Sequence, residues 1–187
     1  MRGHLSENGG KVIMAHSNKK LFYASLFLSG APVQRAWFNK VLEPFDLDNQ
    51  LLEYAASFNA LELGFKIRAV AGGFQMVADD ETAAILKDYF GEKPDGLSKS
   101  ALETLSIIAY RQPLTKAEVE QVRGVDCSGS MKTLIDRGLI VASGRRQTPG
   151  RPLLYVTTSR FLEHFGLQDI AELPTFREWQ ELKKGLE

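Results

Sequence analysis

The sequence predicts an α+β fold, mainly helical, divided into two domains. Three observations predict it. Of the 187 residues 44% are apolar, enough to build a core, and the one cysteine excludes a disulfide framework. A polar stretch, Gly91-Glu-Lys-Pro-Asp-Gly96, interrupts the chain near its middle. On either side of it one order of patterns recurs: three helices, a strand, a turn or loop, a second strand and a closing helix.

In the first half, residues 1–18 contain Gly9-Gly10 and many polar side chains and read as a flexible leader. Leu21–Leu28 is the first helix, stopped by Gly30-Ala-Pro32. Gln34–Leu42 is the second. On a helical wheel Trp37, Phe38, Val41 and Leu42 share one face, and Pro44 ends the helix. Asp48 is placed to cap a third helix, Asn49–Leu63. Phe65–Ala71 and Phe74–Ala78 alternate around Gly72-Gly73, a hairpin signal because a primed turn needs positive φ at both central positions. Asp79 or Asp80 caps a closing helix to Phe90.

In the second half, Ser98 caps a helix to Tyr110 that stops near Pro113. Thr115-Lys-Ala-Glu118 fits a capping box for a short helix to about Val122, which Gly124 breaks. Ser128–Arg137 follows, with Gly138 suited to the position just past its end. Leu139–Ala142 and Leu153–Val156 are strands on either side of the glycine- and proline-rich loop 144–152, and Ser159–Phe165 is a short helix. Three helices followed by a β-hairpin make a winged helix, a helix-turn-helix-like core with a β wing. The expected organisation is therefore a leader (1–18), an N-terminal winged-helix domain (19–90), a linker (91–96), a C-terminal winged-helix domain (97–168) and a tail (169–187). The tail's short helix opens on a second capping-box pattern, Thr175-Phe-Arg-Glu178, and carries Trp179.

Charge narrows the function. The chain has 23 basic and 23 acidic residues, so the simplest case for a nucleic-acid binder is missing. The charges are unevenly placed. Residues 1–96 carry 10 basic and 12 acidic side chains, residues 97–160 carry 10 and 5, and residues 161–187 carry 3 and 6. His4, His16 and His164 lie far apart with no ligand spacing, so no catalytic, cofactor or metal site is expected. No run approaches the ~18 apolar residues of a membrane helix. Lys19-Lys20 before the eight residues Leu21–Leu28 only faintly resembles a signal peptide, because Tyr23 and Ser25 interrupt the run.

Several long motifs stand in a fixed order in the second half. They are Leu97-Ser98, Ala101–Thr115, Val122–Asp126, Leu134–Ile140, Pro149–Thr158, Phe161–Gly166 and Leu173-Pro174. With them the chain resembles the bacterial segregation and condensation protein B family. Leu28-Ser-Gly-Ala-Pro32 and Val70-Ala-Gly-Gly-Phe74 fit that family's first domain more loosely, and Val156 stands where the family commonly has glycine. The resemblance implies two winged-helix domains and a homodimer formed mainly through the first. It implies binding to the kleisin subunit, segregation and condensation protein A, and through it to the SMC ATPase. It implies no enzymatic activity in this subunit, a role in chromosome condensation and partition during cell division, and a place in the cytoplasm at the nucleoid. DNA would be touched indirectly or weakly, and neither a membrane nor a small-molecule substrate is expected. The alternative from another class is a winged-helix transcription regulator that reads DNA itself.

Residue chemistry gives partial, independent guidance. The first domain's third helix holds Glu53 and Glu62 and no lysine or arginine, so it would repel phosphate. The second domain offers Lys132 and Arg137 on its third helix and Arg145, Arg146 and Arg151 on the wing. Weak DNA contact, an acidic partner and a merely solvated wing stay open for these, with Arg151 ordering the Pro149–Pro152 turn in the last case. Leu21, Phe22, Tyr23, Leu26 and Phe27 make the first helix apolar all round, so one face needs a cover beyond a single core: a second copy or the rest of its own domain. Ile107 and Tyr110 point away from the face centred on Leu105, towards a partner, the wing or the other domain. Cys127 has no histidine or second cysteine near it in sequence and is expected to be inert.

Overall fold

The structure, a computed structural model, describes residues 7–8, 11–12, 18–42, 47–90, 96–175 and 178. The chain divides into two units, Met1–Glu92 and Lys93–Glu187. Within the expected leader, strands β1 (Glu7–Asn8) and β2 (Lys11–Val12) pair antiparallel. The remainder of the leader before residue 18, Pro44, most of the linker, and the tail beyond Thr175 apart from Glu178 lie outside the described residues, and with them Trp179.

The first unit continues with α1 (Asn18–Ser29), β3 (Val33–Gln34), α2 (Arg35–Val41), α3 (Leu47–Asn59), β4 (Phe65–Val70), β5 (Gly73–Ala78) and α4 (Asp80–Phe90). Its antiparallel sheet has the order β3-β5-β4. The sequence pattern starts the second helix at Gln34. Val33 and Gln34 instead form an extended edge strand, with Val33 opposite Phe74 and Gln34 opposite Gly73. Helix α3 begins at Leu47, so Asp48 lies inside its first turn rather than capping it. There it favours the helix dipole and pairs with Arg35 at 3.1 Å. The helix also ends four residues before Leu63. The Asn59 amide leaves the helix pattern and locks onto β4: it donates to the Ile67 carbonyl at 2.9 Å and accepts from the Ile67 N–H at 2.7 Å. The hairpin turn is Ala71-Gly72, one residue earlier than Gly72-Gly73, because Val70 pairs with Gly73. Both turn residues have positive φ, 50° and 72°, as a primed turn requires. Asp79 caps α4, its carboxylate accepting from the Thr82 N–H at 2.8 Å. The core gathers Phe22 and Leu26 from α1, Phe38 from α2, Leu51 and Ala55 from α3, and Ile67 and Phe74 from the sheet.

The second unit repeats the plan with α5 (Lys99–Arg111), β6 (Leu114–Thr115), α6 (Lys116–Arg123), α7 (Ser128–Asp136), β7 (Ile140–Arg145), β8 (Leu153–Thr157) and α8 (Ser159–Phe165), then a 3-10 turn, Ile170–Glu172. The sheet order is β6-β8-β7, the same arrangement of edge strand and hairpin. Both units are winged helices. Strand β7 runs to Arg145, three residues beyond the expected Ala142, and an irregularity between Ala142 and Gly144 adjusts its pairing with β8. Leu105, Ile108, Val119, Leu134 and Phe161 are at most 2% exposed and form the centre of the core.

The cap chemistry of this unit forms as the sequence implies. The Ser98 hydroxyl accepts from the Ala101 N–H. The Thr115–Glu118 box closes in both directions, and the Glu118 carboxylate also accepts from the Thr115 hydroxyl at 2.9 Å and from Arg146 on the wing at 2.9 Å. The Thr115 backbone and hydroxyl donors, with the Arg146 charge behind them, hold Glu118 below the usual carboxylate range. A lowered carboxylate pKa stabilises the fold above the unfolded value of about 4.3, and that contribution is lost as pH falls through the folded value. Glu118→Gln, which keeps an acceptor for the box but removes the charge, is therefore expected to lower the melting temperature near neutrality. In thermal denaturation the gap to the wild type should close as pH falls to about 3. A gap constant with pH would show that the ionised form contributes nothing.

Candidate partner-binding surfaces

The residues of α1 divide between two jobs. Phe22 and Leu26, four residues apart on one face, are 0% and 2% exposed and belong to the unit's own core. Neither is available to a second copy, which removes two of the five residues expected at the dimer face. Tyr23 is half-buried and donates its hydroxyl to the Tyr54 carbonyl at 2.8 Å. Leu21 and Phe27 remain outward, at 39% and 72% exposure. So does Leu28 at 80%.

Around Leu21 and Leu28 the surface is concave. These two and Ala24 of α1, Pro32, Val33 of the edge strand and Trp37 of α2 line it. The open groove has a volume of about 610 Å³. Its lining is mostly apolar, and Val41 beyond it on α2 is also exposed. An apolar concavity flanked by a sheet edge is a surface that association covers.

In the second unit Ile107 is half-buried and packs on the same core as Leu167, Ile170 and Leu173 from the segment after α8. Tyr110 keeps an exposed ring, but its hydroxyl donates to the Pro174 carbonyl at 2.8 Å. Tyr110 at the end of α5 is thus tied to the chain's own Pro174. The tail's capping box also forms: the Thr175 N–H reaches the Glu178 carboxylate at 2.7 Å and the Glu178 N–H reaches the Thr175 hydroxyl at 3.4 Å.

The wing arginines have internal uses. Arg146 pairs with Glu118, tying the wing to the start of α6. Arg145 donates to the Arg151 carbonyl at 3.0 Å across the wing loop, where Arg151 itself has a φ of 40°. One cation the sequence did not single out is Arg123, at the end of α6. Its side chain is 7% exposed and bonds Ser100 at 3.1 Å and Glu103 at 3.2 Å, while Ser100 also meets Ser130 at 2.8 Å. This clamp joins the ends of α5, α6 and α7. Its members are 20 to 30 residues apart, so no local pattern announces it.

Cys127 precedes α7 and is 1% exposed. Burial and the adjacent Glu120 carboxylate push its thiol pKa up, so a reactive thiolate is disfavoured. Among the described residues no group of three or more His, Cys, Asp or Glu side chains is placed to hold a metal ion, and no helix is long and apolar enough to cross a membrane.

The model of the family described as segregation and condensation complex subunit ScpB matches residues 20–176. A segregation and condensation protein B from Moorella thermoacetica is 46% identical over 151 residues, covering 80% of this chain and 77% of that protein. One from Desulforamulus reducens is 40% identical over 170 residues, covering 90% and 94%. Among solved structures, ScpB from Mycobacterium tuberculosis is 31% identical, with coverage of 80% and 95% and a TM-score of 0.37.

Proposed function

From the premise that this chain belongs to the segregation and condensation protein B family, and so is a subunit of a segregation and condensation complex, we propose that it is a non-catalytic adaptor in that complex. In this reading two copies associate through the first winged helix, residues 19–90. The second, residues 97–168, binds the kleisin and through it the SMC ATPase, in the cytoplasm at the nucleoid. DNA is reached indirectly or weakly. The observation that carries the dimer is the apolar groove between α1 and the β3 edge, with Leu28 exposed at its wall. The two units differ in the way this division needs. Residues 1–96 are slightly acidic and present an apolar groove, while residues 97–160 carry 10 basic and 5 acidic side chains.

Affinity isolation of the chain from its own cells tests the adaptor. Recovery of a kleisin and an SMC ATPase after nuclease treatment is the expected result; specific DNA fragments with neither protein would favour the transcription-regulator alternative. The dimer has its own test. Leu28→Asp places a charge in the groove wall at a site exposed in the monomer, so stability should change by less than about 0.5 kcal/mol. Self-association should weaken roughly 30-fold, about 2 kcal/mol. Light scattering at micromolar concentration should find monomer in place of dimer. A dimer unaffected by Leu28→Asp would remove the groove from the interface.

A further inference from the structure

One row of α5 is left uncovered by the described residues of the second unit. Leu102, Ser106 and Tyr110 recur at every fourth position and so stand above one another along the helix. All three are exposed, Leu102 at 41% and Tyr110 at 55%. The row is more apolar than its composition, because the Ser106 hydroxyl is spent on the Leu102 carbonyl at 2.9 Å. A small residue between two large ones leaves a recess into which a bulky side chain of a facing helix can pack.

Three observations point to the chain's own tail as the cover. The first is where the tail begins. The Tyr110 hydroxyl donates to the Pro174 carbonyl at 2.8 Å, so the chain stands at one end of the row one residue before Thr175. The second is a helix start at that point, since the Thr175–Glu178 box closes in both directions, at 2.7 Å and 3.4 Å. The third is the residue pattern beyond it. On a helix begun at Thr175, Phe176, Trp179, Leu182 and Leu186 share an arc of about 120°, and Arg177, Glu181 and Lys184 lie opposite. A helix this short is marginal in water unless its apolar arc is packed. The reach suffices: residues 176–187 span about 18 Å as a helix, against about 12 Å from Tyr110 to Leu102.

We infer that the tail returns along α5 as an antiparallel helix and docks its Phe176, Trp179 and Leu182 face on the Leu102–Ser106–Tyr110 row, with Trp179 seated at Ser106. The occupant is a segment of the same unit, so the inference does not depend on the adaptor reading. It makes the row an internal contact, closed by the tail as a strap, where Tyr110 alone would read as an anchor for a partner.

Tryptophan fluorescence of the full chain tests it. Trp37 and Trp179 are the two tryptophans, so Trp37→Phe leaves Trp179 as the single indole reporter. Its emission should be blue-shifted from that of the same chain in urea, and should stay so on dilution from micromolar to nanomolar protein. In that background Leu102→Asp should move the emission to the urea value. Leu102→Met, which conserves apolar volume, should leave it in place. Leu102 is exposed, so circular dichroism and melting of the folded units should change little. Leu102→Ala, with a smaller red shift, serves if the aspartate variant misfolds. Emission at the urea value before any change at Leu102 would overturn the docking. A blue shift that no Leu102 substitution alters would overturn the α5 row and place Trp179 on another surface. A blue shift lost on dilution would overturn the intramolecular contact and assign the row to the tail of a second copy.

Discussion

Alanine at position 22 is expected to leave the first unit barely folded. The Phe22 side chain is 0% exposed and its ring is the hub of an aromatic cluster. Its centroid lies 5.2 Å from that of Phe38, 5.3 Å from Phe74, 5.7 Å from Tyr23 and 6.0 Å from Tyr54. These contacts join α1, α2, α3 and β5, so truncation opens a cavity at the point where four elements meet. Loss of a buried phenylalanine costs about 3–5 kcal/mol, against the roughly 5–15 kcal/mol that holds a typical domain together. Hydrogen exchange should report the change locally, with protection lost at the amides of β4 and β5. Urea denaturation should show an early transition absent from the wild type. Phe27→Ala is the matched control. Phe27 is 72% exposed, so the same truncation should cost less than about 0.5 kcal/mol. Equal losses at the two positions would mean that α1 does not face the core as described.

That contrast marks what the sequence could and could not reveal. A helix apolar on every face announces that it needs more than one cover, but periodicity cannot say which arc faces the domain's own core. Phe22 and Leu26 are chosen by Phe38, Tyr54 and Phe74, residues as much as 52 positions away. Cap signals were legible because their chemistry is local. Ser98, the Thr115–Glu118 box, Asp79 and the Thr175–Glu178 box all satisfy backbone groups within three residues. Asp48 misled for a related reason: an acidic residue near a helix start serves equally as a cap or as a first-turn partner of the dipole, and only the Arg35 pair separates the two. The wing was less legible. The sequence leaves Arg145, Arg146 and Arg151 open between a weak DNA contact, an acidic partner and a solvated wing; the partner of Arg146 is Glu118, 28 residues earlier, and no spacing rule reaches that far. Tyr110 on α5 shows the same limit, since the acceptor of its hydroxyl is Pro174, 64 residues later.

The hairpin of the first unit supplies the sharpest local test, because three adjacent residues should respond with different signs. Gly73→Ala is expected to cost about 3 kcal/mol, at the upper end for overpacking. The reason is not the dihedral angle, since the residue has no positive φ. A Cβ built there would stand 2.3 Å from the Val33 carbonyl oxygen and 2.8 Å from its carbon. Both are backbone atoms of the strand paired with it, so the strand itself must retreat. Gly72→Ala meets a different obstacle. Its Cβ has room, the nearest atom being the Gln34 side-chain oxygen at 3.6 Å, but φ is 72°, which costs a side-chain-bearing residue about 1–2 kcal/mol. Ala71→Gly should go the other way: alanine already sits at φ 50°, and glycine there relieves strain of about 1 kcal/mol. If the turn were Gly72-Gly73, as the sequence reads, Gly73 would carry the positive φ and Ala71→Gly would bring no gain. The order of melting temperatures therefore decides the register. Val33 also walls the apolar groove, so displacing β3 should impair self-association as well as stability. Gly73→Ala should weaken the proposed dimer at temperatures where the monomer is still folded, and Gly72→Ala, at equal denaturation, should not. A Gly73→Ala protein that dimerises normally would separate the edge strand from the interface and leave α1 to form the interface alone.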